Sequence, residues 1–265
     1  MTYSIVARDP ASGELGVAVQ SHFFGVGPVV AFAEAGVGAV ATQAIVDPAY
    51  GPRGLDLMRG AGSSAPETLH RLLSEDPQEP HRQVAMLDRW GRVAVHTGGK
   101  CIAFAGHAVG EQSSAQANIM RDRGVPEAMV GAFRHEQGDL AARLLAALDG
   151  AQAAGGDLRG CQSAALLVVA ARPGGGPSQE RPFDLRVEDH HEPLRELRRL
   201  VDLKRAYDRA EAGDELAAEG DMEAALEQYA AARAAQPGSA ELAFWHGVAL
   251  AGTGREAEAR DALAE

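Results

Sequence analysis

The sequence predicts an α+β protein whose sheets lie between helical layers, followed by a small all-α tail. Three observations carry this reading. Strand patterns come in blocks separated by pairs of helices, not in strict alternation. The hydrophobic period changes from two to about 3.6 near Pro126 and returns to a continuous apolar run at Ser163. From residue 208 the chain turns acidic and repeats with a 34-residue period.

The first strand is Thr2–Arg8, where Tyr3, Ile5 and Ala7 alternate with Thr2, Ser4 and Val6. The turn Asp9-Pro10-Ala11-Ser12-Gly13 joins it to Leu15–Gln20 as a hairpin. A third strand, Gly38–Ala44, ends at Asp47-Pro48. Helices follow over Pro52–Arg59 and Ala65–Ser74, the first opened by a proline whose fixed φ suits a helix start. Gln83–Asp88 and Val93–Thr97 form a hairpin around Arg89-Trp90-Gly91-Arg92, and further strands are expected at Ile102–Ala105 and Ala115–Ile119. Helical spacing then covers Pro126–Glu136 and Asp139–Ala154. In the second of these, Leu140, Leu144, Leu145 and Leu148 make one apolar stripe suited to packing on a sheet. Ser163–Ala171 reads as a buried strand, Phe183–Glu188 as another, and Pro193–Asp208 as the closing helix.

In the tail, Gly213, Gly220 and Ala225 recur as Gly247, Gly254 and Ala259. Tyr229, Ala232 and Pro237 fall where the second helix and terminal proline of a tetratricopeptide repeat belong, so residues 208–265 resemble that repeat. Fewer than three repeats leave a face to be covered, which suggests a homodimer or larger assembly, or a protein partner bound through the tail.

The chain has 265 residues and a formal net charge of −12. Residues 208–265 hold 13 acidic and 4 basic side chains, against 24 and 21 in residues 1–207, a split that suggests two units. An acidic chain with no basic stripe argues against nucleic acid as a partner. No apolar run has the length of a membrane span and the start lacks a signal-peptide pattern, so a cytoplasmic location is expected. Cys101 and Cys161 are too few for a disulfide framework. The histidines do not form a spaced ligand set, and no cofactor or metal is expected. Neither a P-loop nor a Gly-x-Ser-x-Gly elbow occurs. Ser21-His22 fails as a nucleophile–base pair because adjacent strand residues point to opposite faces.

One hydroxyl lies one residue from the start. Removal of Met1, which a small second residue permits, would leave Thr2 with a free α-amino group whose reference pKa is about 8. That amine can act as general base for the Thr2 hydroxyl.

The segments Thr2-Tyr3-Ser4-Ile5-Val6-Ala7-Arg8-Asp9, Gly13-Glu14-Leu15-Gly16-Val17-Ala18-Val19 and Gly36-Val37-Gly38-Ala39-Val40-Ala41-Thr42-Gln43-Ala44 resemble the domain of unknown function 1028 family. So do Tyr50-Gly51-Pro52-Arg53-Gly54-Leu55, Gln152-Ala153-Ala154-Gly155-Gly156-Asp157 and Gln162-Ser163-Ala164-Ala165-Leu166. The resemblance spans roughly residues 2–207 and implies a place among the N-terminal-nucleophile hydrolases and a four-layer αββα sandwich. It implies Thr2 as nucleophile but supplies no substrate. Attack on an amide also needs oxyanion donors and a proton for the leaving group. Ser21, Asn118 and Asp157 are the further catalytic candidates, Asn118 as oxyanion donor and Asp157 to orient the amine. Thr42, Gln43, Arg53 and Ser163 are candidates for substrate binding. Against each stands a structural reading: Ser21 and Asn118 as turn caps, Thr42 as an ordinary strand residue, Asp157 as an Asx turn. Proteasome-like relatives use a lysine, whereas this chain has only Lys100 and Lys204, neither on the third strand. That leaves Gln43 or Arg53 to shape the field and favours a small-molecule amide over a peptide. The competing reading is a non-catalytic scaffold that works through its tail.

Overall fold

The computed structural model describes residues 2–60 and 62–264, with backbone alone at positions 177 and 178. Two compact units divide the chain, residues 1–197 and 198–265.

Among the described residues of the first unit, ten strands form two antiparallel sheets. The strands are β1 (Thr2–Arg8), β2 (Leu15–Ser21), β3 (Ala31–Glu34), β4 (Gly38–Ala44), β5 (Arg82–Asp88), β6 (Val93–Thr97), β7 (Gly106–Gly110), β8 (Ser113–Asn118), β9 (Ser163–Val169) and β10 (Phe183–Val187). One sheet runs β10-β9-β2-β1-β8-β7, the other β3-β4-β5-β6. The helices of this unit are α1 (Gly27–Val30), α2 (Tyr50–Gly60), α3 (Ala65–Ser74), α4 (Val125–His135), α5 (Leu140–Ala153) and α6 (Pro177–Glu180).

Side-chain alternation builds the core from both sheets. Val6, Leu15, Val17, Val19, Ala39, Ala41, Ala85, Leu87, Ala165 and Leu167 form one buried cluster. Successive strand residues face opposite ways, so Val40, Val84 and Met86 instead pack with Leu55, Leu69 and Leu72 of α2 and α3. On the larger sheet, α4 and α5 pack against β8 and against β1 and β2. All four leucines of the expected α5 stripe are buried. Asp139 caps that helix by accepting the Ala142 N–H at 2.8 Å.

Several boundaries differ from expectation. Ile102–Ala105 is not a strand; the pairing segment is Gly106–Gly110, in register with β8. The short β3 escapes sequence reading because four residues show too little alternation against the apolar Val26–Val30 before it.

The second unit comprises the bulk of α7 (Pro193–Ala218), then α8 (Met222–Ala235), α9 (Ala240–Gly252) and α10 (Glu256–Leu263). The helix expected to stop at Asp208 continues through Gly213. A side chain there would meet the Tyr229 ring, with its Cβ 2.9 Å from Cε1. The Tyr229 hydroxyl donates to Asp214 Oδ1 at 2.6 Å. No helix among the described residues is long and apolar enough to cross a membrane.

Candidate active site

The inward face of the sheets changes character along its length. Near Arg8 it is apolar; at the Thr2 end the same alternate positions carry hydroxyls and amides. Register explains the convergence: β1 places Thr2 opposite Ser21 of β2 on one side and Asn118 of β8 on the other, with Ser4 opposite Gln116. Position 43 of β4 and position 83 of β5 face the same layer and pair directly.

Thr2 is 7% exposed, and its Oγ1 lies 3.0 Å from Ser21 Oγ. The Thr2 carbonyl accepts from Gln43 Nε2 at 3.2 Å. Behind it runs a buried chain of amides. Gln116 Nε2 donates to Ser4 Oγ at 2.6 Å, and Ser4 Oγ donates to Gln43 Oε1 at 2.7 Å. Gln43 Nε2 donates to Gln83 Oε1 at 2.7 Å, and Asn118 Nδ2 donates to that same oxygen at 3.0 Å. Such a buried network, with its members satisfied, fixes rotamers and register together.

A pocket of about 80 Å³ opens beside Thr2, lined also by Ser21, Phe23, Val26, Val30, Gln43, Ala44 and Arg159. Two residues at the ends of neighbouring strands hold left-handed backbone, Ala44 closing β4 at φ 72° and Ile119 just after β8 at φ 54°. For a β-branched residue this conformation is rare, costs on the order of 1–3 kcal/mol, and clusters at functional sites.

Thr2, Ser21 and Gln43 share the pocket, and Asn118 lies at Thr2's register position with one amide hydrogen committed to Gln83. Asp157 forms the Asx turn: its Oδ1 accepts the Arg159 N–H at 2.8 Å, while Oδ2 accepts the His22 N–H at 3.1 Å. These bonds tie it to Arg159 and to the loop after β2. Ser163 Oγ donates to Phe23 O at 2.5 Å and accepts from Val26 N at 3.2 Å, which fixes the loop that forms one pocket wall. Thr42 faces away from Gln43, as alternation requires, and donates to Asp47 O at 3.2 Å. Arg53 is exposed on α2 and bonded to Glu75 at 2.5 Å; it does not line the pocket. The cation that does is Arg159, which the sequence reading missed. Its signal was the spacing Asp157-Leu158-Arg159 in an Asx turn just after the Gly155-Gly156 helix stop. The Met1 question lies outside the described residues.

Cys161 also lies close to Asp157. Burial, with the nearby Asp157 charge adding to it, pushes its thiol above the usual cysteine value. A thiol held protonated is a poor nucleophile. Burial likewise raises the Tyr3 phenol well above the tyrosine range, so it stays neutral and donates to Gln152 Oε1 at 3.0 Å.

The fold and site define a class first: a two-sheet protein with hydroxyls and amides gathered at one end of its central strand. Residues 2–197 match the family described as "Family of unknown function (DUF1028)", and the chain belongs to that family. It is similar to the crystal structure of protein SPO2555 from Silicibacter pomeroyi, a DUF1028 protein, with 31% identity and a TM-score of 0.68 over 75% of this chain and 84% of that one. It also aligns with Anbu (ancestral beta-subunit) from Yersinia bercovieri at 11% identity and a TM-score of 0.36, over 74% of this chain and 91% of that one. No curated protein matches the chain.

Proposed function

We propose that the protein is an N-terminal-nucleophile amidohydrolase with an αββα architecture, acting on a small-molecule amide, with Thr2 as nucleophile once Met1 is removed. The observation that carries this is Thr2 itself. It sits at the end of the central strand, its hydroxyl 3.0 Å from Ser21 Oγ, facing a pocket that also holds a cation, Arg159. In the proposed reaction the freed α-amine takes the Thr2 hydroxyl proton as Oγ1 attacks the carbonyl carbon. Arg159, which lines the pocket, supplies charge for the oxyanion, and Asn118, buried outside the pocket lining at Thr2's register position, is the amide donor this reading assigns to it. The amine leaving group departs with the proton, and water then hydrolyses the acyl ester. The volume of about 80 Å³ and the apolar wall of Phe23, Val26 and Val30 suit a short acyl group. Ser21 orients the hydroxyl, and Gln43 fixes the Thr2 carbonyl.

The tail reads as a tetratricopeptide-like segment. Gly213 and Gly247 both permit close helix approach, against Tyr229 and Leu263 respectively. Gly220 and Gly254 both hold positive φ, and Ala225 and Ala259 are both buried. A second reading, the scaffold, draws on Phe244, Trp245 and Val248, which lie exposed along α9.

Intact mass and turnover of a panel of amides, ureides and lactams decide between them. The hydrolase reading expects loss of Met1, and Thr2→Ala to cut turnover by at least about a thousandfold while Thr2→Ser keeps part of it. Retained Met1, or unchanged turnover in Thr2→Ala, overturns it.

A further inference from the structure

At the far end of β1, about 20 Å from Thr2 by strand rise, lies a separate cavity of about 630 Å³. Its lining includes Arg8, Arg89, Arg172 and Trp90, and no carboxylate side chain. That is unexpected in a chain of net charge −12. Three arginines thus line one cavity, and none of them has a carboxylate partner among the described ion pairs.

The nearby acids accept hydrogen bonds from groups other than these three guanidiniums, Asp9 and Glu14 both doing so from Ser12 of the cavity wall. Asp88 accepts from Ala65 N, Trp90 N, Arg92 N and Arg92 Nε. Asp9 accepts from Ala11 N and Ser12 Oγ. Glu180 accepts from Gly174 N at 2.7 Å. Arg8 is fixed by one neutral bond, Nη1 to Gln112 Oε1 at 2.7 Å, while its buried Nε has no partner.

The walls are set by close packing. Gly13, at φ +79°, would carry a Cβ 2.9 Å from Ala171 Cβ, and Gly36, at φ +70°, one 2.9 Å from Pro173 Cδ. The two turns thus clamp the chain on either side of Arg172. Trp90 remains 65% exposed although the Arg89 guanidinium stacks over its ring at 4.6 Å.

We propose that this cavity binds a small organic phosphate bearing a flat ring, of the nucleoside monophosphate class. The guanidiniums match a phosphate dianion through forked N–H donors, and the exposed indole offers a stacking surface for the ring. The volume falls within the range of small-molecule sites, about 300–1,000 Å³. The site is independent of any chemistry at Thr2.

The test uses the full chain carrying Trp245→Phe, which leaves Trp90 as the lone tryptophan reporter. Adenosine 5′-monophosphate, inorganic phosphate and adenosine are titrated against its fluorescence. The proposal expects saturable quenching by the monophosphate, competition by inorganic phosphate, and adenosine weaker by about tenfold or more. Arg172→Ala should weaken the monophosphate by about tenfold or more, and raised salt should do the same. Arg172 is exposed, and circular dichroism checks that the variant keeps the parent's fold. No saturable quenching below about 10 mM, a range where even weak specific sites fill, overturns the proposal. So does adenosine binding as tightly as its monophosphate, or affinity unchanged in Arg172→Ala.

Discussion

Replacing Gln83 by leucine tests whether the amide chain beneath Thr2 holds the two sheets together. The side chain is fully buried. Its Oε1 accepts from Gln43 and Asn118, and its Nε2 lies 3.0 Å from Thr97 Oγ1, 3.0 Å from Gly106 O and 2.9 Å from Ala117 O. Leucine keeps the approximate shape and removes every one of these bonds. Gln43 Nε2 retains two backbone carbonyls, Thr2 O and Gln116 O, and Thr97 retains His107. Asn118 Nδ2 loses its acceptor outright. One orphaned buried donor costs about 1–3 kcal/mol and each lost net bond about 0.5–1.5 kcal/mol, against a small gain from the added apolar surface. The expected loss is roughly 3 kcal/mol, or a fall of about 6–12 °C in Tm for a unit of this size. One tryptophan lies in each compact unit, Trp90 in the first and Trp245 in the second. Urea unfolding of Gln83→Leu in a Trp245→Phe background therefore reports the first unit alone. Gln78→Leu, the same exchange at an exposed position, is the control and should stay within about 0.5 kcal/mol. A Gln83→Leu midpoint no lower than that control refutes the structural role of the amide chain.

Two further outcomes follow from packing and charge. Leu144→Ala removes a fully buried side chain whose Cδ1 lies 2.6 Å from where a Cβ on Gly16 would fall, and should cost about 2–5 kcal/mol by the same urea assay. Asp76→Ala removes the carboxylate bonded to the Arg82 guanidinium at 2.8 Å, both side chains being largely buried, leaves that guanidinium the Ile45 carbonyl, and should cost about 3 kcal/mol at pH 7. The bond to Arg82, followed by those from Gln78 N and the Tyr50 hydroxyl, holds the Asp76 carboxyl below its ordinary value. A depressed folded-state pKa means this contribution is complete above the unfolded value of about 4 and fades as pH falls through the folded one. The gap between parent and variant should therefore narrow when the urea midpoints are compared at pH 7 and pH 3.

Much of the fold was legible because periodicity reports burial directly. Alternation in Thr2–Arg8, the four-leucine stripe of α5 and the apolar run after Ser163 each name a face that must be covered. Boundaries failed where that signal weakens: Ile102–Ala105 is apolar yet leaves Ile102 61% exposed, and the ladder is taken by Gly106–Gly110. Of the residues that line the pocket beside Thr2, Thr2, Ser21 and Gln43 were readable as polar residues standing at strand ends.

The sequence by itself determined the strand and helix pattern, the acidic tail with its 34-residue recurrence, and the hydroxyl at position 2. Those are local properties of spacing and composition. Only the tertiary structure decided which polar residues meet. Register set Thr2 between Ser21 and Asn118, alternation turned Thr42 away from Gln43, and an Asx turn brought in Arg159 where Arg53 had been expected. Pairing between strands as distant as β1 and β8 fixes those neighbours, and no short-range pattern in the chain encodes it.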